Sequence, residues 1–245
     1  MSDKEFKSFD VLGMKPVADA ISHASKAAVD GASAFLGRIC LPAAEELGLL
    51  LRDKVRAWRA KNAVAVITEA QARYKKYQSK RDAHAHPRLV AFVVEHGSWT
   101  DDRTLQQMWG GLLASSCSPD GRDESNLIFV NLLSLLTGLQ VRVLSHACSN
   151  ANKYVTPQGL IMPERGLYVD VLKLQAIGGT DDIHRLDTEL DHLRSLELIA
   201  GGFQPGAAHV DITPTALALN LFVRCQGFSG SAVDFFSLKP PTQKT

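Results

Sequence analysis

At 245 residues, with 45% hydrophobic and 22% charged side chains, the chain has the make-up of a globular protein that can bury a real core, which excludes wholesale disorder. Its four cysteines, Cys40, Cys117, Cys148 and Cys225, form no CxxC or CxxxC pair, so reduced buried thiols are expected instead of a disulfide frame or a zinc site. The net charge of +1 conceals a segregation: Arg52 to Arg81 holds ten basic residues against Asp53 and Glu69, a balance of +8, which leaves about −7 on the remainder.

The opening MSDKEFKSFD lacks a signal-peptide core, and no uncharged apolar run approaches the ~20 residues of a membrane span. A cytoplasmic protein is expected. Residues 1–41 read as an Ala-rich helical segment, and the Ala-rich stretch 17–51 is interrupted by Lys26, Asp30, Arg38, Glu45 and Glu46. Pro42 followed by two acids marks a helix start. Leu51, Val55, Trp58, Asn62, Val66, Ala70, Tyr74 and Tyr77 then step by threes and fours to about Gln78, predicting one helix of ~50 Å at 1.5 Å per residue. Asn62 falls inside that stripe and requires a partner for its amide.

RDAHAHP, 81–87, ends the long helix, since the residue before proline avoids the α region. RLVAFVVEHG follows as a short apolar helix stopping at Gly97. In RTLQQMWGGLLASS, 103–116, Leu105, Met108, Trp109, Leu112 and Leu113 form one apolar face, with Thr100, Asp101 and Asp102 as capping and first-turn groups. Gly110 and Gly111 each cost roughly 1 kcal/mol against alanine there, which close approach of a neighbouring backbone, the long basic helix, would offset. LIFVNLLSLLTGLQVRVLSHAC then reads as a buried helical stretch completing a helical domain over 42–150.

Beyond residue 150, KYVTPQGLIMPERGLYVDVL suggests a loop with short strands. A helix with Ile183, Leu186, Leu190 and Leu193 on one face follows, then two strands in IAGGFQPGAAHVDI, then a last helix capped by Thr213 and Pro214. The order predicts a mainly α protein with a winged-helix-like α+β region over 151–226 and a flexible tail over 227–245.

No catalytic or nucleotide-binding signature is present: GxxxxGK[ST], GxGxxG, GxSxG and HExxH are all missing. His84 and His86 would converge only in an extended segment, and no carboxylate or cysteine joins them at metal-ligand spacing. His146 lies near Cys148 in sequence, which alone does not make a dyad. The expectation is a protein without catalytic residue, metal or cofactor. Arg52, Arg56, Arg59, Lys61, Arg73, Lys75 and Lys76 admit two readings, a solvated face pairing with the acidic remainder or a phosphate-binding stripe for nucleic acid or anionic lipid.

Three segments, KVRAWRAKNAVAVITEAQ, DRTLQQMWGGLLASS and VDITPTALALNLFVRC, together resemble the bacterial abortive infection alpha (Abi-alpha) family over residues 40–226. Arg59, Lys61 and Asn62, beside Trp58, match the family's basic segment; Leu105, Trp109, Leu112, Leu113 and Ala114 match its second motif; Thr213, Pro214, Phe222 and Cys225 match its ending. The chain departs from the pattern at Gly110 and Gly111, where Ala-Asn is expected, and at Ala216, where glycine is frequent. The resemblance implies a phage-defence protein of bacterial or prophage origin, with Trp58, Asn62, Leu105, Trp109, Leu112, Leu113 and Phe222 as packing residues. It supplies no mechanism. Three modes of action fit the residues: binding to a phage or host protein, regulation through nucleic acid, or action at an anionic membrane surface through the Ala-rich segment. An oligomer is compatible with all three.

Overall fold

The computed structural model of the chain describes residues 26–39, 54–78 and 83–239. The expected helix start at Pro42, together with Arg52, Lys80 and Arg81, lies outside the described residues, as does most of the segment 1–41.

Helix α1 (Lys26–Ile39) buries Ala32, Phe35, Leu36 and Ile39, and Phe35 meets Tyr74 edge-on at 5.8 Å between ring centroids. Its apolar face, which the membrane-surface reading would turn to lipid, packs into the core here. Helix α2 (Lys54–Gln78) runs through the centre, with Ala63, Val66, Ile67, Ala70 and Tyr74 buried. Around it pack α1, α3 (Pro87–Ser98) and, most extensively, α4 (Arg103–Ser115). Pro87 opens α3, and the His86 ring nitrogen Nδ1 accepts from the Arg88 amide at 3.3 Å. The helix runs past Gly97 to Ser98, with Gly97 buried in its last turn.

The stripe of α4 is buried as its spacing requires, and Trp109 is only 1% exposed. Asp102 Oδ1 caps it, accepting from the Leu105 amide at 3.0 Å. The glycine pair now has its reason. A Cβ on Gly110 would stand 2.7 Å from Glu69 Cβ and 2.8 Å from the Val66 carbonyl oxygen, so α2 lies against the glycine backbone. A Cβ on Gly111 would overlap the Cys225 carbonyl, so the second close approach belongs to a different helix, α9 (Ala216–Cys225).

The apolar stretch after residue 126 divides into α5 (Leu127–Ser134) and α6 (Gly138–Asn150), not one run. Thr137 breaks it: its Oγ1 accepts from the Gln140 amide at 3.2 Å while Gln140 Oε1 accepts from the Thr137 amide at 3.0 Å, a reciprocal cap. Three two-stranded antiparallel ladders join the helices: β1 (His84–Ala85) with β2 (Cys117–Ser118), β3 (Lys153–Val155) with β4 (Ile161–Pro163), and β5 (Tyr168–Asp170) with β6 (His209–Asp211). Between β5 and β6 come α7 (Val171–Gly178) and α8 (Ile183–Ser195). Leu186, Leu190 and Leu193 of α8 face the core, whereas Ile183, expected on that face, is exposed. After α8, the Ala200 amide donates to the Thr213 carbonyl at 2.8 Å and Ile199 bridges Pro214.

Two expectations at the C-terminus are corrected. Helix α9 is capped by Thr215, whose Oγ1 accepts from the Ala218 amide at 3.2 Å, while Thr213 instead accepts from the Leu167 amide at 2.7 Å. Residues 227–239 are not a loose tail: α10 (Ala232–Phe235) and Phe236 fold back so that Phe235 and Phe236 lie 6.4 and 6.3 Å from the Phe222 ring. One hydrophobic cluster runs from Phe35 and Leu36 through Trp109 and Leu144 to Leu190, Phe222 and Ala232.

Candidate functional site

The basic residues expected to form one stripe separate into two kinds. Lys61, Lys75 and Lys76 are exposed, and Lys76 Nζ sits 4.8 Å from the Tyr77 ring. Arg59 and Arg73 turn inward, because each has an acid to satisfy, together with the Ser98 hydroxyl for Arg59 and the C-terminus of α9 for Arg73. Arg73 Nε holds Glu69 at 2.6 Å, and its Nη1 donates to the Cys225 carbonyl at 3.1 Å and to Gln226 Oε1 at 2.9 Å, a cationic cap on α9. Both arginines, expected among the anion-binding candidates, are thus engaged by groups of the protein itself. Arg52 and the side chain of Arg56 lie outside the described residues.

Arg59 builds the most organised surface feature. Its Nη2 holds Glu95 Oε2 at 2.6 Å and its Nε donates to Ser98 Oγ at 3.0 Å. The guanidinium carbon lies 4.2 Å from the centre of the Trp99 ring, and Trp99 Nε1 donates to Glu95 Oε1 at 3.0 Å. The four residues thus close a loop that fixes the indole. Burial pushes the Glu95 carboxyl up, but hydrogen bonds from Trp99 and Arg59, with the charges of Arg59 and His96, outweigh it and hold the group below its ordinary 4.5. Beneath this loop Asn62, 3% exposed, finds the partners its position demands: Nδ2 donates to the Ser98 carbonyl at 3.2 Å, and Oδ1 accepts from Gln106 Nε2 at 3.3 Å.

Trp99 nevertheless stays 53% exposed, and Trp58, 6.5 Å away and tilted by 54°, is 37% exposed. Trp58, expected as a packing residue, is corrected to a surface aromatic; Leu105, Trp109, Leu112, Leu113 and Phe222 are buried as expected. Phe92, also 37% exposed, continues the row along α3, with the Arg88 guanidinium 5.6 Å from its ring. Phe92, Glu95, Ser98 and Trp99 were not singled out by sequence reasoning. A legible signal existed, since Arg88, Phe92, Glu95 and Trp99 follow helical spacing on the polar side of α3.

The remaining candidates do not assemble into chemistry. His84 sits in an extended segment and is exposed, and His86 serves as a helix cap with Glu124 at 3.7 Å. Among the described residues no three His, Cys, Asp or Glu side chains converge as metal ligands. Cys148 is buried with its Sγ 3.6 Å from the Ala218 carbonyl, while half-buried His146 accepts at its carbonyl from Asn150, so each has a different partner. Burial pushes the Cys117 thiol up to about 12 and raises Cys148 and Cys225 as well, opposite to the direction a nucleophile needs.

These features define a mainly helical protein with small antiparallel ribbons and a rigid aromatic face at the junction of α2 and α3. The sequence profile of the abortive infection alpha family matches residues 60–209, more than half of the chain, and the chain belongs to that family. The close 210–225 lies just beyond the matched span, although Cys225 packs on Gly111 inside it. No curated protein matches the chain, and no solved structure does.

Proposed function

We propose that the protein is a non-enzymatic, cytoplasmic component of bacterial antiphage defence that acts by binding. Trp99 carries this reading: an indole held by a hydrogen bond and a guanidinium, yet half open to solvent, is the kind of pre-organised anchor that binding surfaces use. Family membership supports the defence setting. Among the described residues no helix is long and apolar enough to cross a membrane.

We also read α6, β5, α7, α8 and the ribbon ending in β6 as a winged-helix-like unit, supported by their order and by the pairing of Ala200 with Thr213. Residues 138–211, the span of this unit, carry nine Asp and Glu against six Lys and Arg. That balance opposes a phosphate backbone, so the unit is better suited to a protein partner from phage or host.

The test is a culture expressing the chain, challenged with a phage panel at low and high phage-to-cell ratio against an empty vector. Protection at low ratio with collapse at high ratio is expected. Unchanged plaque counts across the panel, with the protein shown to accumulate, would remove the defence reading.

A further inference from the structure

Thr213 does not cap α9, and its buried hydroxyl has two other partners. It accepts from the Leu167 amide, which sets the start of β5, and it donates to Asp211 Oδ1, which also accepts from the Thr213 amide at 2.9 Å. Asp211 Oδ1 is thereby fully engaged, while Oδ2 accepts no hydrogen bond and Asp211 forms no ion pair among the described residues. A Cβ on Gly201 would stand 2.6 Å from Asp211 Oδ2, so the missing side chain lets the carboxylate lie across that backbone. Tyr168 is the cross-strand partner of Asp211, so both side chains stand on the outer face of the ribbon of β5 and β6, with Val169 and Val210 buried on the other. The Tyr168 ring lies against the bare backbone of Gly166 and is 61% exposed. Tyr168 and Asp211 line a groove of about 590 Å³, together with Gln204, His209 and the small residues Gly201 and Ala208.

Internal ion pairs take up part of the charge of this unit. Within 138–211 Arg185 holds Glu189 at 3.6 Å, Arg194 holds Asp191 at 2.7 Å, and Arg142 holds Asp102 outside the unit. Seven acids and three bases are left without an ion pair among the described residues. Of the three bases, Lys153 donates to the Ala151 carbonyl against the Phe236 ring, and Lys173 stands beside His146 of α6. Arg165 is exposed and has neither a ring contact nor an acidic partner among the described residues. Asp170, opposite His209 on the same outer face, also lacks a cation; its Oδ1 accepts from the Lys173 amide as the cap of α7. The groove therefore sits in uncompensated negative charge.

We infer that the groove seats an arginine side chain carried by a basic segment of a protein partner, its guanidinium stacked on Tyr168 and donating to Asp211 Oδ2. A planar guanidinium suits both walls: its face meets the aromatic ring, and its edge offers N–H donors to the one carboxylate oxygen left open. An ammonium satisfies the acid but gives up the planar stacking. Because Thr213 and Gly201 hold the carboxylate in place before any ligand arrives, binding requires little ordering there. The inference rests on the reading that the ribbon unit meets a protein partner, and it names that partner's chemistry.

The experiment titrates the full chain into fluorescein-labelled hexa-arginine at 50 mM salt and pH 8, followed by anisotropy, with hexa-lysine and hexa-citrulline peptides alongside. Hexa-arginine is expected to bind, hexa-lysine more weakly, and hexa-citrulline, of similar shape without the charge, not measurably. Asp211→Asn, which keeps an oxygen for Thr213, is expected to weaken hexa-arginine binding by about fivefold or more. Tyr168→Leu is expected to weaken it by about two- to fivefold, the contribution of one exposed cation–π contact, and Tyr168→Phe to restore it. Asp187→Asn, at an unpaired acid of α8 outside the groove lining, and Arg165→Gln weaken it by less than about twofold. Thermal melts confirm that the variants fold. Absence of hexa-arginine binding overturns the inference. Binding that Asp187→Asn weakens as much as Asp211→Asn, or that Tyr168→Leu leaves unchanged, overturns it in favour of diffuse attraction between opposite charges. The phage challenge reads the defence role separately, so protection without hexa-arginine binding rejects only the groove.

Discussion

Replacing Gly111 by alanine tests the packing logic of the whole helical region. The added Cβ would overlap the Cys225 carbonyl, whose oxygen also accepts from Arg73, so the C-terminus of α9 is tied on its other side and cannot simply withdraw. Overpacking of a tight core costs about 1–3 kcal/mol and sometimes more. A contact with backbone belongs at the upper end, while the gain from removing a helical glycine is roughly 1 kcal/mol. The net is a destabilisation of about 2 kcal/mol, a fall of ~4–8 °C in Tm for a chain of this size. Gly37→Ala in α1 is the internal contrast, since a Cβ there meets nothing within 4 Å. It should raise Tm by ~2–4 °C through propensity alone. Thermal melts by circular dichroism measure both. A Gly111→Ala protein melting at or above the parent would refute the argument that the glycine pair exists for close approach.

Arg59→Met leaves Glu95 without its cation. Because the folded carboxyl lies below 4.5, its stabilisation is present above that pH and is lost as pH falls through the folded value, so the variant's Tm deficit should be largest at pH 7 and shrink toward pH 3; a deficit constant across pH would contradict this. Cys117, Cys148 and Cys225 should resist iodoacetamide at pH 8 in the folded protein and react after denaturation, as read by mass spectrometry; rapid native labelling of any of them would show the core to be open. Removing residues 228–245 strips three phenylalanines from Phe222 and Tyr77, and a fall in Tm of at least ~5 °C is expected, whereas a loose tail would leave Tm unchanged.

Much of the helical core was legible because a single period governs it. The stripe of α4 and the burial of Asn62, Val66, Ala70 and Tyr74 in α2 follow from 3.6-residue spacing, and the glycines announced a close contact through their cost alone. What periodicity leaves open is the residue at the edge of a stripe. Arg59 lies at such an edge, and only the arrival of Glu95 and Ser98 from α3, more than thirty residues away, turns it inward. Trp58 beside it meets the same Trp99 ring and stays exposed. The division at Thr137 was carried by a local signal, Thr-x-x-Gln, submerged in an apolar run that favoured continuity. The ladders are two or three residues long, too short for an alternating pattern to register, and two of the three pair residues more than thirty positions apart.

The same long-range logic explains why the candidate face is rigid while the ribbon unit is not isolated from it. Arg142 on α6 holds Asp102 Oδ2 at 2.7 Å, the acid that caps α4, and donates through Nη2 to the Gly178 carbonyl at 2.7 Å, the end of α7. Next to it Gln140, 1% exposed, donates to the Glu189 carbonyl at 3.0 Å and lies 2.9 Å from His192 Nδ1, both on α8. Because Gln140 Oε1 is already engaged by the Thr137 amide, its amide nitrogen must face His192, whose Nδ1 therefore acts as an acceptor. One helix thus carries a charged tie to the helical region and a polar tie to the ribbon unit within a single turn. A ligand that displaced α8 would break the contacts of Gln140, two residues along α6 from the Arg142 that holds the Asp102 cap of α4, and from the first turn of α4 Gln106 reaches back to Asn62 beneath Trp99. Coupling between a partner on the ribbon unit and the aromatic face has a physical route in these bonds.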